Sequence, residues 1–209
     1  MGEAPAAPDA SGRPARGSVS SAVLVPVPQA ERIVAEWRAR HDPVAAAGVP
    51  AHVTLIVPWL PAAEIGAGPL AELAEVAAST RPWEFRLTGV AWFGRRVLWL
   101  VPEPAEPFAG LTARLAERFG TPPWDGEFED VVPHLTVGRA EGDPTSLDHV
   151  GEELRSLLPI DCRADELWVM LAAGRRWSVR ARLGLGRRSR VAGLPGAKPW
   201  SARGRPSAP

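Results

Sequence analysis

Apolar and polar residues change their spacing several times along the chain, and each change predicts a change of secondary structure. In the first half, period-2 and continuous apolar runs predict strands, and apolar residues at i, i+3 and i+4 predict helices. The predicted order is strand, helix, strand, helix and a hairpin of two strands: 21–27, from 28 onward, 51–57, 64–78, 83–93 and 97–101. Pro28 suits the start of the first helix, because the first helical position needs no N–H.

The second half of the chain repeats most of this order. It predicts a helix, a strand, a helix and a hairpin of two strands: 108–119, 131–137, 147–157, 163–171 and 177–185. An offset of 82 residues superposes helix on helix and hairpin on hairpin. Two copies at this long period predict an internal duplication, since solenoid repeats are shorter and more numerous.

The element order predicts an α+β fold. We expect a duplicated, two-lobed molecule with two mainly antiparallel sheets, outer helices and a central cleft. In the last predicted strand, apolar residues from Trp177 to Leu185 alternate with Ser178, Arg180 and Arg182. That alternation predicts one buried sheet face and one face toward the cleft.

The two ends of the chain differ from the middle. Residues 1–18 and 187–209 lack apolar periodicity and are rich in small residues and proline, which predicts disorder on both sides of a domain over 19–186. Six of the 24 basic residues follow Gly186, where there is no acid, so residues 1–186 hold 18 basic and 24 acidic residues. This acidic balance argues against a broad polyanion-binding surface but is compatible with a local positive cleft.

Composition also excludes several classes of protein. The single cysteine, Cys162, cannot form an internal disulfide, and no cysteine or histidine spacing is typical of a zinc site. No apolar run approaches the roughly 18 residues of a membrane span, and the first residues lack the apolar segment of a signal peptide. We expect a cytoplasmic monomer with no cofactor, no metal, no membrane association and no obligate protein partner.

Two short motifs occupy equivalent places in the duplicated pattern. They are His52-Val53-Thr54-Leu55 and His134-Leu135-Thr136-Val137, each with a proline just upstream. Residues i and i+2 of a strand project from one face about 7 Å apart, so each histidine shares its face with its threonine. A pseudo-twofold arrangement is expected to bring two imidazoles and two hydroxyls together across the cleft.

This set of side chains suits phosphodiester chemistry. One histidine can take a proton from the attacking oxygen while the other gives a proton to the leaving oxygen. Threonine hydroxyls can donate hydrogen bonds to the non-bridging oxygens, and the scheme requires no metal. The predicted catalytic residues are His52, His134, Thr54 and Thr136, and the pattern does not assign acid or base.

The two motifs resemble the signature of the 2H phosphoesterases, which have two His-x-Thr/Ser-x motifs in a duplicated fold. Over residues 20–186 the chain is similar to the bacterial 2'-5' RNA ligase group, whose members also act as RNA 2',3'-cyclic phosphodiesterases. The segment PHLTVGR, which ends at Arg139, matches the family pattern better than HVTLIVPWL, which puts Trp59 in an aromatic position. The resemblance implies a metal-independent phosphoesterase that hydrolyses, or reversibly ligates, 2',3'-cyclic phosphate or 2'-5' bonds at an RNA end or small nucleotide.

Candidate substrate-binding residues are arginines for phosphate and tryptophans for base stacking. They are Arg86, Arg139, Arg180, Arg182, Trp59, Trp92 and Trp124. Strand parity places Arg139 on the apolar side with Leu135 and Val137 unless a bulge intervenes. Arg86 is expected on the exposed face if Phe85 and Leu87 point inward, and the remaining arginines are expected on the exposed face of the last strand.

Two alternatives to this interpretation stay open. One is a small-molecule nucleotide cyclic phosphodiesterase, which the acidic balance favours over an enzyme for long RNA. The other is a non-catalytic nucleotide- or RNA-binding module, against which the intact histidine and threonine of both motifs argue.

Overall fold

The computed structural model describes residues 21–126, 131–140 and 144–187. The disorder predicted for 1–18 and for the tail beyond 187 lies outside these residues. The elements in chain order are β1 Ser21–Pro26, α1 Pro28–His41, α2 Pro43–Ala46, β2 His52–Ile56, α3 Ala67–Ser79, β3 Trp83–Phe93, β4 Val97–Glu103, α4 Glu106–Phe119, β5 Leu135–Arg139, α5 Thr145–Leu157, β6 Ile160–Ala164, β7 Glu166–Ala173 and β8 Arg176–Gly184. Among these helices, none is long and apolar enough to cross a membrane.

The described strands form two four-stranded sheets, with orders β2-β1-β7-β8 and β5-β4-β3-β6. Neighbouring strands are antiparallel throughout both sheets. This confirms the predicted α+β fold with two antiparallel sheets. Each sheet takes two strands from each half of the chain, because the hairpin of each half joins the sheet that carries the other half's motif.

The segment 163–171, predicted as one strand, belongs to two strands in different sheets. β6 ends at Ala164 and pairs with β3, whereas β7 begins at Glu166 and pairs with β1. Asp165 connects them, and its carbonyl accepts a hydrogen bond from the Leu185 N–H at 2.8 Å. Burial follows even-numbered residues from Ile160 through Ala164 and odd-numbered residues at Leu167 and Val169, so the alternation slips by one where the chain changes sheets.

The helices join the two sheets through one continuous apolar core. α1 follows a strand of the first sheet but packs against β5 of the second, and α4 follows a strand of the second but packs against β2 of the first. Buried residues on these helices include Val34 of α1 and Leu111 and Leu115 of α4. Because each of these helices packs against a strand of the other sheet, β2 and β5 lie side by side, and the two motif strands contact each other.

Four β-bulges in the described strands decide which side chains face away from the core. Leu55 in β2 and Val137 in β5 are extra residues relative to the paired strands, and they lie 82 positions apart at the same place in each motif. Thr88 in β3 and Arg180 in β8 are likewise extra residues relative to β4 and β7, with which these strands pair. A bulge shifts the alternation of side chains by one residue, so residues beyond it change face.

The prediction that the apolar residues of the last strand share one face is wrong, because the bulge at Arg180 divides β8. Val179 pairs with Met170, whereas Ala181 pairs with Val169 on the core side. Trp177 therefore packs with Met170 against a small separate cluster instead of the main core. Leu183 keeps its predicted place in the main core.

Candidate active site

The two motifs lie on edge strands that meet where the sheets contact. Val53 and Leu135 are fully buried, whereas the histidines and threonines of both motifs are half-buried on the opposite side of their strands. Thr54 lies opposite Leu24 of β1, and Thr136 lies opposite Trp99 of β4. We call this side the open face of each sheet. It carries His52 and Thr54 in the first sheet and His134 and Thr136 in the second.

Each imidazole is held by a hydrogen bond to a backbone carbonyl two residues upstream. The Nδ1 of His52 lies 2.7 Å from the carbonyl oxygen of Pro50, and the Nδ1 of His134 lies 2.7 Å from that of Val132. A carbonyl oxygen only accepts, so each Nδ1 carries the proton and donates it. In the neutral ring the other nitrogen, Nε2, then holds the lone pair, which is the arrangement that a general base needs.

Burial and neighbouring charge lower the pKa of His52 to about 4. Removal of the ring from water is the largest cause, followed by the positive charge of Arg38. The hydrogen bond to Pro50 and the negative charge of Asp42 act in the opposite direction. The charge of His134 lowers the pKa of His52 further, so the two imidazoles are close enough to interact electrostatically.

His134 has a different environment, with aromatic rings beside it. Its ring meets Phe93 edge-on with centroids 4.9 Å apart and Trp99 at 5.8 Å, and those two rings stack on each other at 4.7 Å. Burial is the largest cause that lowers the pKa of His134, the bond to Val132 opposes it, and the charge of Arg139 lowers it further. Both histidines are therefore neutral near pH 7 in the ligand-free protein.

Arg139 lies on the open face because of the bulge at Val137. Its strand partner is Val97, two residues from the Trp99 that faces Thr136. Arg139 also lines a cavity of about 210 Å³ with Asp42 and Ser146, between the end of α1 and the start of α5. The structure thus places this arginine within electrostatic reach of His134, on the side that simple parity excluded.

A tryptophan–arginine pair occupies the open face of the first sheet. Arg182 lies over the Trp168 ring at 4.2 Å from its centroid, and the indole Nε1 donates to the Glu166 carboxylate at 2.7 Å. Trp168 and Arg182 continue the row of paired residues that starts at Thr54 and passes through Leu24. With strands about 4.8 Å apart, Arg182 lies about 14 Å from Thr54 along this row.

The remaining predicted arginines do not adjoin the histidines. The Arg86 Nε donates to Asp161 at 2.9 Å, at the end of β3 remote from Phe93. Arg180 is exposed at the bulge of β8. Neither placement brings a cation beside the motifs.

The tryptophan candidates need correction. Trp59 is 1% exposed and packs edge-on against Phe119, so its ring lies in the core with no face for a substrate. Trp92 pairs with Leu98 on the core side, because the bulge at Thr88 reverses the parity of β3, and Arg95 lies over its ring. The side chain of Trp124 lies outside the described residues.

Sequence reasoning missed the aromatic residues that do adjoin the site. The bulge that turns Trp92 inward turns Phe93 outward, where it is 36% exposed. Trp99 and Trp168 lie in strands with apolar residues on both faces, and such strands give no alternation signal. A search for aromatic residues opposite the motif threonines would have found Trp99 once the strand order was known.

No three histidine, cysteine, aspartate or glutamate side chains in the described ranges are placed to share a metal ion. Metal independence itself stays a prediction, because it concerns the reaction and not the arrangement of these residues.

Solved structures share this fold. E. coli LigT, in a complex with 3'-AMP, aligns over 81% of this chain and 99% of its own with a TM-score of 0.51 and 20% identity. The protein TT0787 of Thermus thermophilus aligns over 81% of this chain and 98% of its own with a TM-score of 0.54 and 20% identity. At such identities the likeness concerns the fold.

A curated relative gives a closer sequence match over a shorter length. The RNA 2',3'-cyclic phosphodiesterase of Methanothermobacter thermautotrophicus is 32% identical over 106 residues. The match covers 47% of this chain and spans 56% of the relative's length.

The family model described as the 2'-5' RNA ligase superfamily matches residues 25–176. These residues include both histidine motifs, the strands that carry them and the helices that join the sheets. The match confirms the family resemblance seen in the motifs. This chain therefore belongs to the 2'-5' RNA ligase superfamily.

Proposed function

We propose that the protein is a metal-independent phosphoesterase that opens 2',3'-cyclic phosphates or 2'-5' phosphodiester bonds at RNA ends or in small nucleotides. The observation that carries the proposal is the pair of imidazoles on adjacent strands, each with Nδ1 bound to a carbonyl oxygen two residues upstream. The name of the curated relative supports the same activity and substrate class.

The two histidines have different proposed roles. The pKa of His52 is lowered to about 4, which suits a base that stays neutral when its partner is protonated. In this assignment the Nε2 of His52 takes a proton from water as the water oxygen bonds to phosphorus. His134 gives its Nε2 proton to the ribose oxygen as the bond between that oxygen and phosphorus breaks, so proton number and charge balance. Ligation is the reverse, with a ribose hydroxyl in place of water.

The other open-face residues bind the substrate in this proposal. Thr54 and Thr136 donate hydroxyl hydrogen bonds to the non-bridging oxygens, and Arg139 adds a positive charge near the phosphate. Phe93, which is 36% exposed and stacks on the buried Trp99, offers a ring surface beside His134 on which a base can stack.

Turnover of a 2',3'-cyclic mononucleotide and of a short RNA with a cyclic phosphate end, both with EDTA present, tests the proposal. We expect His52→Ala and His134→Ala each to lose at least about 10²-fold in kcat, and the double variant to lose much less than the product. Thr54→Ala and Thr136→Ala should be milder, since water partly replaces a neutral donor.

His149→Ala is the matched control, because this histidine is 75% exposed on α5 and pairs with Glu153. It should keep full turnover. Unchanged activity in His134→Ala, or activity that EDTA abolishes and a divalent metal restores, contradicts the proposal. Tight binding of both probes without turnover would favour a non-catalytic binding module.

The acidic balance of the main body favours a small-molecule substrate as the second candidate, because 18 basic residues face 24 acidic ones over residues 1–186. The comparison of kcat/KM for the mononucleotide and the RNA decides between them. If kcat/KM is higher for the RNA and this difference disappears with added salt, the higher kcat/KM comes from contacts to phosphates beyond the reacting group.

A further inference from the structure

One peptide group next to His52 makes a hydrogen bond at each end. The carbonyl oxygen of Pro50 accepts from His52 Nδ1, and the N–H of Ala51 donates to the Glu31 carboxylate. These two groups belong to the same peptide bond, between Pro50 and Ala51. A continuous path therefore runs from the Glu31 carboxylate through this peptide to the imidazole.

The second motif lacks the outer part of this path. Its corresponding peptide joins Val132 to Pro133, and the Val132 carbonyl accepts from His134 Nδ1 at the same 2.7 Å. Proline has no N–H, so no carboxylate can attach there. The Pro50–Ala51 and Val132–Pro133 peptides are 82 residues apart and occupy equivalent places in the two motifs. Of these two peptides, only Pro50–Ala51 has an N–H that can donate to a carboxylate.

Glu31 is held in position by a buried arginine. The Oε2 that accepts from Ala51 also lies 3.5 Å from Nη1 of Arg38, which is 1% exposed. The other end of this guanidinium donates to buried Asp42 at 2.8 Å, and Asp42 accepts from the N–H of Val44 at the start of α2. The carboxylate is thus part of a network built from α1 and the segment that follows it.

We propose that Glu31 is a positioning residue that acts on His52 through the Pro50–Ala51 peptide. A carboxylate that accepts from a peptide N–H polarises the peptide, which strengthens its carbonyl as an acceptor. A stronger acceptor holds the proton of His52 on Nδ1 and makes Nε2 a better base. The catalytic consequence rests on the proposed function, whereas the effect on the imidazole does not.

The rival explanation is that Glu31 only anchors the segment before β2. Glu31→Gln separates the two, because the amide oxygen still accepts from Ala51 but carries no charge. Charged or titratable groups facing His52 are Arg38 and Asp42 from α1 and its end, and His134 from the neighbouring motif strand. Glu31→Gln leaves all three in place.

The test measures the protonation of each imidazole by ¹⁵N NMR of the ligand-free protein at pH 7. In the wild type, both histidines should show the proton on Nδ1. In Glu31→Gln, the His52 signals should shift toward the form protonated on Nε2, while those of His134 stay unchanged. Glu36→Gln is the matched control, since this glutamate lies on the same helix and is 87% exposed.

A second variant isolates the peptide path from the field of the charge. Ala51→Pro removes the N–H and places a proline ring where the second motif has Pro133, and in that background Glu31→Gln should leave the His52 signals unchanged. A shift that persists in the Ala51→Pro background would mean that the carboxylate acts through space, and it would overturn the proposed path. If Ala51→Pro does not fold, the comparison of Glu31→Gln with Glu36→Gln still tests whether the Glu31 carboxylate acts on His52, and equal His52 signals in these two variants would overturn the proposal.

Kinetics give the catalytic consequence. In metal sites, mutation of a partner that fixes the tautomer of a histidine lowers metal affinity or activity by about 10- to 100-fold. By analogy, we expect Glu31→Gln to lower kcat about tenfold and to leave KM nearly unchanged. The acid limb of the rate profile should move to lower pH, because loss of the charge weakens the bond that raises the His52 pKa. Unchanged NMR signals and unchanged kcat would overturn the inference, whereas shifted signals in a protein without turnover would overturn only the proposed function.

Discussion

Arg38 carries a positive charge inside the protein, and its removal leaves Asp42 buried without an ionic partner. Breaking a buried pair by removing one partner costs about 3–5 kcal/mol, so Arg38→Met should lower the free energy of unfolding by that amount. Urea unfolding measures the change. The double variant Arg38→Met/Asp42→Asn should recover much of the loss, since it removes the orphaned charge.

Arg40→Met is the control for this prediction. Arg40 lies on the same helix, is exposed, and pairs with Glu36 at 3.6 Å. Exposed pairs contribute about 0–1 kcal/mol, so this variant should stay near the wild type. Equal losses in Arg38→Met and Arg40→Met would contradict the interpretation of Arg38 as a buried ion-pair partner.

The pKa values of the two histidines predict an acidic optimum for the free protein. The proposed mechanism needs a neutral His52, whose pKa is lowered to about 4, and a protonated His134, whose pKa is also lowered from its ordinary value. Since kcat/KM reports the free enzyme, its maximum should lie below pH 6.5, the ordinary histidine value. An anionic substrate favours the charged imidazolium, so the kcat profile should lie at higher pH. A kcat/KM maximum above pH 7 would contradict this assignment.

Residue identities in the motifs were readable from the sequence, whereas their charged surroundings were not. His52, Thr54, His134 and Thr136 follow from type and spacing alone. Glu31 and Arg38 lie in an amphipathic helix, where charged residues indicate a solvent-exposed face. Their contact with the first motif depends on how α1 packs, which no local pattern encodes.

Gly138 shows how closely β5 approaches the helices. A β-carbon at this position would lie 2.7 Å from Leu147 Cδ2 and 2.8 Å from His41 Cβ, which is too close for either to stay in place. Gly138→Ala should therefore lower the free energy of unfolding by about 1–3 kcal/mol, the usual cost of overpacking. It should also disturb the neighbouring Arg139, so kcat/KM should fall with stability.

The opposite result is expected for Gly110→Ala. Gly110 lies in α4, and a β-carbon there meets nothing within 4 Å. Alanine is the better helix residue by about 1 kcal/mol, so this variant should be more stable than the wild type. Thermal unfolding of the two alanine variants side by side provides the measurement, and destabilisation of both would contradict the packing argument.

Bulges explain most of the difference between the predicted and observed placement of substrate-binding candidates. Alternation predicts a face correctly as far as the first bulge and wrongly beyond it, as with Trp92 after Thr88 and Trp177 on the far side of Arg180. Arg139 is the opposite case, because Val137 moves it to the open face. A bulge depends on pairing between strands, so a single strand's pattern does not reveal it.

At the scale of the whole molecule, the two histidines should make stability depend on pH. Their folded pKa values lie below the value of about 6.5 expected for an unfolded chain, so the unfolded state binds more protons as the pH falls. The contribution of these histidines is complete above pH 6.5 and is lost as the pH falls toward about 4. Urea unfolding between pH 7 and 5 should show a smaller loss in His52→Asn/His134→Asn than in the wild type. Equal losses would contradict the lowered pKa values.

The duplication was visible in the sequence, but the exchange of hairpins between the halves was not. An offset of 82 residues identifies equivalent elements, yet it does not specify which strands pair. Strand pairing between distant segments depends on the shape of the whole core, and apolar pattern alone gives the class of fold.

The exchange of hairpins has a consequence for synthesis on the ribosome. β1 pairs with β7, in a register that joins Ser21 to Leu171, so the first sheet cannot close until nearly the whole domain has left the exit tunnel. Until then β1 and β2 expose an unpaired apolar edge, the kind of surface that recruits chaperones or aggregates. The nascent chain should stay protease-sensitive until β7 emerges and then become resistant in one step. Arrest of translation at successive lengths, followed by limited proteolysis, would reveal that step.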